Sequence, residues 1–175
     1  MIGNYSSQSD KILVEFIKQG DTSAFKELYY RYYSQLFRYA YYRVFSSEIS
    51  RDLIQDLFIK VWNKKADLNP EKSIKAYLYR ALTNLIINYR RLKSSQNISY
   101  EDAGRESTAA ETDLNTSIDI QSAIDKLPDN IQTVYILSRI EGYKYIEIAE
   151  LLGLSVKAIE KRMSKALSIL RNHFK

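Results

Sequence analysis

The chain has no cysteine, one histidine and two prolines among its 175 residues. Without thiols there is no disulfide framework and no thiolate metal site, and His173 alone cannot build a histidine metal centre. Glycine is scarce as well, five in all, and none forms the phosphate-cradling loop or dinucleotide fingerprint of nucleotide chemistry. Neither a metalloprotease helix motif nor a nucleophile paired with a base occurs. An enzyme, a metal or a bound cofactor is therefore not expected, and no small-molecule substrate is implied. No apolar run approaches the roughly 20 residues of a membrane helix, and the first residues, MIGNYSSQSDKILVEF, lack a basic start and a cleavable apolar segment. The expectation is a cytoplasmic protein with no direct membrane insertion.

What is present is apolar residues at helical spacing. They make up 45% of the chain, enough for a real core, and the net charge is +5. That charge is modest for a protein that grips duplex DNA alone, because phosphate contacts supply most of such affinity. Its distribution says more. Residues 21–92 hold 13 basic and 7 acidic side chains, residues 121–175 hold 9 and 6, and the stretch between them, 93–120, holds 2 and 6. This acidic connector is rich in Ser, Thr, Asp, Glu and Asn and has no apolar stripe before Ile118 and Ile120, so it reads as a flexible linker. No segment alternates apolar with polar residues, and Pro70 and Pro128 both fall at boundaries. The prediction is an all-α fold of two small helical domains, 1–92 and 121–175, joined by the linker 93–120.

In the N-terminal block a helix is expected from Asp10 to Gln19, stopped by Gly20, and a second from Thr22 or Ser23. Seven tyrosines between Tyr29 and Tyr42 exceed what one stripe can hide. Core and helix packing account for them better than base stacking. A third helix, Ser50 to about Lys65, turns Leu53, Leu57 and Val61 inward, supported by Ile54, Phe58 and Trp62. Asp52 and Asp56, one turn apart on its other side with Gln55 and Ile59, repel each other by about 0.2–0.5 kcal/mol. An acidic, partly apolar face on a basic domain suits a protein partner better than DNA. The fourth helix, about Ser73 to Leu92, carries Tyr77, Arg80, Thr83, Asn84, Asn88 and Arg91, with Arg90 and Lys93 at its end. Basic and amide groups beside aromatics can hold a phosphate backbone and stack or pair splayed bases, although cations near a helix C-terminus also complement its dipole.

Residues 142–171, GYKYIEIAELLGLSVKAIEKRMSKALSILR, form two helical patterns joined by Gly-Leu-Ser, a helix-turn-helix. The first buries Tyr145, Ile148, Ala149 and Leu152; the second buries Val156, Ile159, Met163, Ala166, Leu167 and Leu170. Ala149 is small where the helices cross, Gly153 permits the turn, and Ser155 is placed to cap the second helix. Lys157, Lys161, Arg162 and Lys165 are left on its outer side, where a recognition helix meets the major groove. Lys157 sits in the first turn, against the helix dipole, which favours a functional reading over a merely solvated face.

Taken in series, DLIQDLFIKVW at 52–62, AYLYRALTNLIINYRR at 76–91 and LPDNIQTVYILSRIEGYKYIEIAELLGLSVKAIEKRMSKAL at 127–167 resemble the bacterial sigma-70 family of RNA polymerase subunits, in its small extracytoplasmic-function (ECF) class. The resemblance implies a region 2 helical bundle and a region 4 helix-turn-helix that bind core polymerase and direct promoter recognition, melting and transcription initiation at a specific regulon, without catalysis of their own. It implies that Asp52, Gln55, Asp56 and Phe58 dock on the clamp of the β′ subunit. The loop from Lys64 to Ser73 would capture a flipped base of the minus-10 element, and Tyr77, Arg80, Asn84, Asn88 and Arg91 would read and melt that element. Lys157, Glu160, Lys161, Arg162, Ser164 and Lys165 would read the minus-35 element. An anti-sigma factor is a further implied partner. Asn88 departs from the Asp that many members carry, and Glu160 from a basic or small polar residue. Glu160 can accept from a cytosine amino group or pair with Lys157 or Lys161. The alternative is a free-standing helix-turn-helix regulator, similar at its C-terminus to LuxR-type proteins, with the first four helices as a sensing or dimerising unit.

Overall fold

The computed structural model describes residues 5–95 and 114–173. Among them are eight α-helices, one short 3-10 turn and no strand. The N-terminal half holds α1 (Asp10–Lys18), α2 (Thr22–Val44), α3 (Ser47–Asn63), a 3-10 turn at Lys65–Asp67 and α4 (Ile74–Ser95). The C-terminal half holds α5 (Leu114–Asp125), α6 (Asp129–Arg139), α7 (Tyr145–Leu152) and α8 (Val156–His173).

Local chemistry sets the ends of these helices. Ser9 caps α1, and Gly20 stops the chain behind it at a φ of 89°. The Asp21 carboxylate caps α2 by accepting from the amides of Ser23 and Ala24 at 2.7 and 3.0 Å. Phe45, left-handed at φ 50°, breaks α2 from α3. Ser46 then accepts from the Ile49 amide, so α3 begins at Ser47, a turn earlier than the apolar pattern indicates. Both ends of the stretch read as a linker are helical. The α4 helix runs on to Ser95, its last turn tightened by the Ser94 and Ser95 hydroxyls donating to Arg91 and Leu92 carbonyls at 2.9 Å. The α5 helix starts at Leu114, because a helical apolar spacing leads into the buried Ala123, Ile124 and Leu127. The rest of that stretch, 96–113, lies outside the described residues.

The first four helices close on Leu13, Ile17, Leu28, Leu36, Leu57, Leu78, Leu82 and Ile86, all fully buried. This core does not end at the fourth helix. It continues without interruption through Val134, Ile136, Leu137, Ile148, Ile159 and Met163 of the C-terminal half. A smaller cluster of Ala123, Leu127, Ile131, Ala166 and Leu170 ties α5 and α6 to α8. The two halves, expected only to be tethered, pack on each other: α6 lies against α2, and α7 against α4. On α8 two expected core positions are part-exposed, Val156 at 38% and Leu167 at 39%. The first sits at the helix start and the second on the flank beyond the Ile159, Met163, Ala166 and Leu170 stripe.

Candidate nucleic-acid and partner interfaces

On α3 the structure exposes Asp52, Gln55 and Asp56 together, with Ile59 half exposed beside them. Phe58 is only 4% exposed. Its ring packs on Tyr29 and Phe25, with centroids 4.8 and 5.9 Å away, while Phe25 also meets Trp62 at 5.0 Å. These rings, with Tyr33 and Ile59, wall a groove of about 450 Å³ between α2 and α3, edged by Arg51 and Gln55. Phe58 is therefore part of the groove rather than of the exposed acidic edge. An apolar trough beside two carboxylates suits an amphipathic helix carrying cations. Burial pushes the Tyr29 hydroxyl above its ordinary range, so it remains a neutral donor there.

The crowded tyrosines of α2 resolve into a ladder. Tyr29, Tyr33, Phe37 and Tyr41 follow one another with centroid spacings of 5.2, 6.0 and 6.4 Å. Phe37 is stacked on both sides, which leaves no ring face there for a base. Tyr39 instead points inward, its hydroxyl 2.7 Å from Thr83 Oγ1 on α4. Thr83 also donates to the Tyr79 carbonyl, so it belongs to the packing of α4 and not to its outer face.

The outer face of α4 and the end of α3 enclose a second cleft, about 320 Å³, lined by Tyr77, Arg80, Asn84 and Asn88 together with Lys60 and Lys64. Four of the five residues read as minus-10 contacts are thus brought together. Arg91 lies one turn on, donating to Asn88 Oδ1 at 3.4 Å, outside the cleft lining. Lys60 was missed at the sequence level. Its signal was the spacing Lys60-x-x-x-Lys64, which sets two cations on the flank of α3 that turns toward α4. Arg80 folds back to donate from Nε to the Ala76 carbonyl at 3.2 Å. The loop from Lys64 to Ser73 is braced from α1: Lys18 Nζ donates to the carbonyls of Ala66 and Leu68 at 2.9 and 2.6 Å, and Lys11 pairs with Glu71. Ser73 caps α4 through the Ala76 amide at 3.1 Å.

In the C-terminal half Gly153 ends α7 in the left-handed region at φ 68°, and Ser155 caps α8 by accepting from the Ala158 amide at 3.2 Å. Ile159 and Met163 are buried at the crossing. Lys157, Glu160, Lys161, Ser164 and Lys165 are exposed and Arg162 is half buried, so the six lie along the outward side of α8. Among the described residues Glu160 makes no ion pair, which removes pairing with Lys157 or Lys161 as the account of its charge. None of the described helices is long and apolar enough to cross a membrane.

The comparisons with known proteins follow the same division. The pattern of sigma-70 region 2 matches residues 28–96, and that of sigma-70 region 4 matches residues 117–170. The ECF RNA polymerase sigma factor SigW of Bacillus subtilis is 27% identical, covering 93% of this chain and 95% of that protein. The RNA polymerase sigma factor YlaC of the same organism is 31% identical over 81% of this chain and 86% of its own length. Among solved structures, CnrH in complex with the cytosolic domain of CnrY superposes with a TM-score of 0.71 at 27% identity, covering 93% of this chain and 95% of that one. The sigma factor RpoE of Bartonella quintana, in complex with the anti-sigma factor NepR, shares the fold at a TM-score of 0.63 and 24% identity, over 86% of this chain and 96% of its own.

Both modules therefore match in order and over most of the chain, which a regulator sharing only the C-terminal helix-turn-helix would not do. The chain belongs to the sigma-70 family, in its extracytoplasmic-function class, and is a sigma factor directing transcription initiation.

Proposed function

We propose that the chain works as a dissociable, non-catalytic specificity subunit whose two modules have separate tasks, residues 1–92 binding core RNA polymerase and the minus-10 element and residues 121–175 binding the minus-35 element, with 93–120 as their connection. The α3 edge of Asp52, Gln55 and Asp56, with the groove behind Phe58, docks on the β′ clamp. Tyr77, Arg80, Asn84, Asn88 and Arg91, with the preceding loop, hold non-template bases, whose capture offsets an unstacking cost of a few kcal/mol. Lys157, Glu160, Lys161, Arg162, Ser164 and Lys165 meet the major groove of the upstream element. Polymerase supplies the common scaffold, so each weak DNA contact becomes intramolecular once the other has formed, and a net charge of +5 is sufficient.

The observation that carries this reading is the segregation of surfaces on the N-terminal module: an acidic edge over an aromatic groove on one side of α3, and a cleft of cations and amides between α3 and α4 on the other. Working with polymerase places the protein in the cytoplasm. The similarity to CnrH, solved with CnrY, supports an anti-sigma factor as a further partner that covers one or both modules. In vitro transcription with core polymerase over a promoter library is the test. A shared pair of elements upstream of the selected starts is expected; tight operator binding by the chain alone, with no polymerase-dependent transcript, would overturn the proposal.

A further inference from the structure

Three arginines of the N-terminal module are engaged by three acids of the C-terminal one. Arg43 is fully buried, donating from Nη2 to Asp129 Oδ1 at 2.9 Å, from Nη1 to the Asp129 carbonyl at 3.2 Å and to Thr133 Oγ1. Its Nε has no partner. Arg90 reaches Asp125 Oδ1 at 2.9 Å, Asp129 Oδ1 at 3.1 Å and Gln132 Oε1 at 2.6 Å. Arg38 forms a fork with Glu141, Nε to Oε1 at 3.1 Å and Nη2 to Oε2 at 2.9 Å. Nearby, Tyr143 of the C-terminal module joins Tyr79 at 3.2 Å and Gln35 at 3.2 Å, under the Lys75 ammonium 4.5 Å from its ring. A Cβ on Gly153 would stand 3.3 Å from Arg80 Nη1, so the turn of the helix-turn-helix abuts a residue of the minus-10 cleft.

This closed arrangement cannot serve a promoter. The α7 helix packs on α4 and α8 packs on α7, which sets α8 two packing layers, roughly 20 Å, from α4. Elements centred at minus 10 and minus 35 are about 25 base pairs apart, roughly 85 Å of duplex at ~3.4 Å per pair. The modules must separate before both can be read. Separation strips Arg38, Arg43 and Arg90 of their carboxylates, and a guanidinium fork fits a phosphate as well as it fits a carboxylate.

We propose that Asp125, Asp129 and Glu141 act as phosphate mimics: they occupy an arginine site on the N-terminal module that takes the DNA backbone once the modules part, so that the free chain holds itself closed and promoter DNA competes for the same groups. This rests on the sigma-factor reading for its ligand, DNA, but each arm of the test omits polymerase, so the two can fail separately. The chain has no cysteine, and cysteines introduced at the exposed Tyr30 and Ser168 give a clean dye pair for energy transfer between the modules. In the full chain, D125N/D129N/E141Q is expected to lower transfer and to tighten binding of an arbitrary-sequence duplex of about 30 base pairs by roughly tenfold. Its log-affinity against log-salt slope should steepen by about 2, near 0.9 per phosphate gained. Adding R38Q/R90Q to that variant should return the slope to the wild-type value while transfer stays low. With the neutralising substitutions absent, saturating duplex at low salt should itself lower transfer. Unchanged transfer in either case, an unchanged slope, or a slope that R38Q/R90Q does not restore would each overturn the proposal.

Discussion

Charge reversal at the α3 edge, Asp52→Lys with Asp56→Lys, isolates the polymerase contact from everything else the N-terminal module does. Both carboxylates are exposed and stand beside the aromatic groove without contributing to its walls. An exposed ion pair is worth about 0.2–1 kcal/mol, and reversal both removes the attraction and installs a comparable repulsion. Over two sites this amounts to about 1–4 kcal/mol, a weakening of roughly fivefold to several hundredfold. The cost to the fold is smaller. A like-charge pair at 52 and 56 is kept, with its sign changed; what is lost is the favourable spacing of Asp56 to Lys60 on α3, replaced by a repulsion, at about 0.2–0.5 kcal/mol for each change, and the acid near the helix N-terminus, worth a few tenths more. Fluorescence anisotropy against core polymerase, at about 0.1 and 0.4 M salt, with melting by circular dichroism, separates these quantities. The defect should shrink at the higher salt, where the screening length falls to roughly half, and the melting curve should move little. A dissociation constant within twofold of wild type, or a defect of equal size at both salts, would refute the reasoning.

The other expectations concern DNA and pH. Lys161→Ala, on the exposed side of α8, should weaken use of the upstream element and flatten the salt slope of minus-35 duplex binding by about 0.9; an unaltered slope would place the residue off the backbone. Asn84→Ala removes an amide from the α4 cleft and should impair promoter opening more than closed binding, so a permanganate footprint matching wild type would count against it. Asp21 is held below the ordinary carboxylate range by the Tyr5 hydroxyl, which donates to it at 2.6 Å, and by the Ala24 and Ser23 amides. A carboxylate depressed on folding stabilises the fold above its unfolded pKa and loses that contribution as pH falls through the folded value. Asp21→Asn should therefore cost more stability near neutrality than at low pH, and melting curves with a pH-independent difference would contradict the assignment.

Much of this architecture was legible because it is local. The helices announce themselves by period, and Gly20, Gly153 and Ser155 mark ends that the backbone confirms with φ values of 89° and 68° and a cap at 3.2 Å. The α3 start was set a turn late because Ser46 is a cap without an apolar neighbour to flag it, and the linker was drawn too long because polar residues dominate both helix ends that enter it. Phe58 shows the limit of a helical wheel. Position on a face does not say whether the next helix brings rings over it, and Phe25, Tyr29 and Trp62 do so here. Lys60 was hidden for a related reason, since its role depends on α4 crossing nearby. Nothing in the spacing of Arg43, Asp129 or Glu141 connects them, because they meet only through packing across 86 and 103 residues of chain.

The unbroken run of apolar side chains from Leu57 and Leu82 through Val134 to Met163 has a thermodynamic consequence. Halves that share one interior melt together, so a calorimetric trace of the isolated chain should show a single endotherm, whereas a bound ligand that pulls the halves apart should split it into two smaller ones. Heat capacity would thereby report on domain parting without any label attached to the protein.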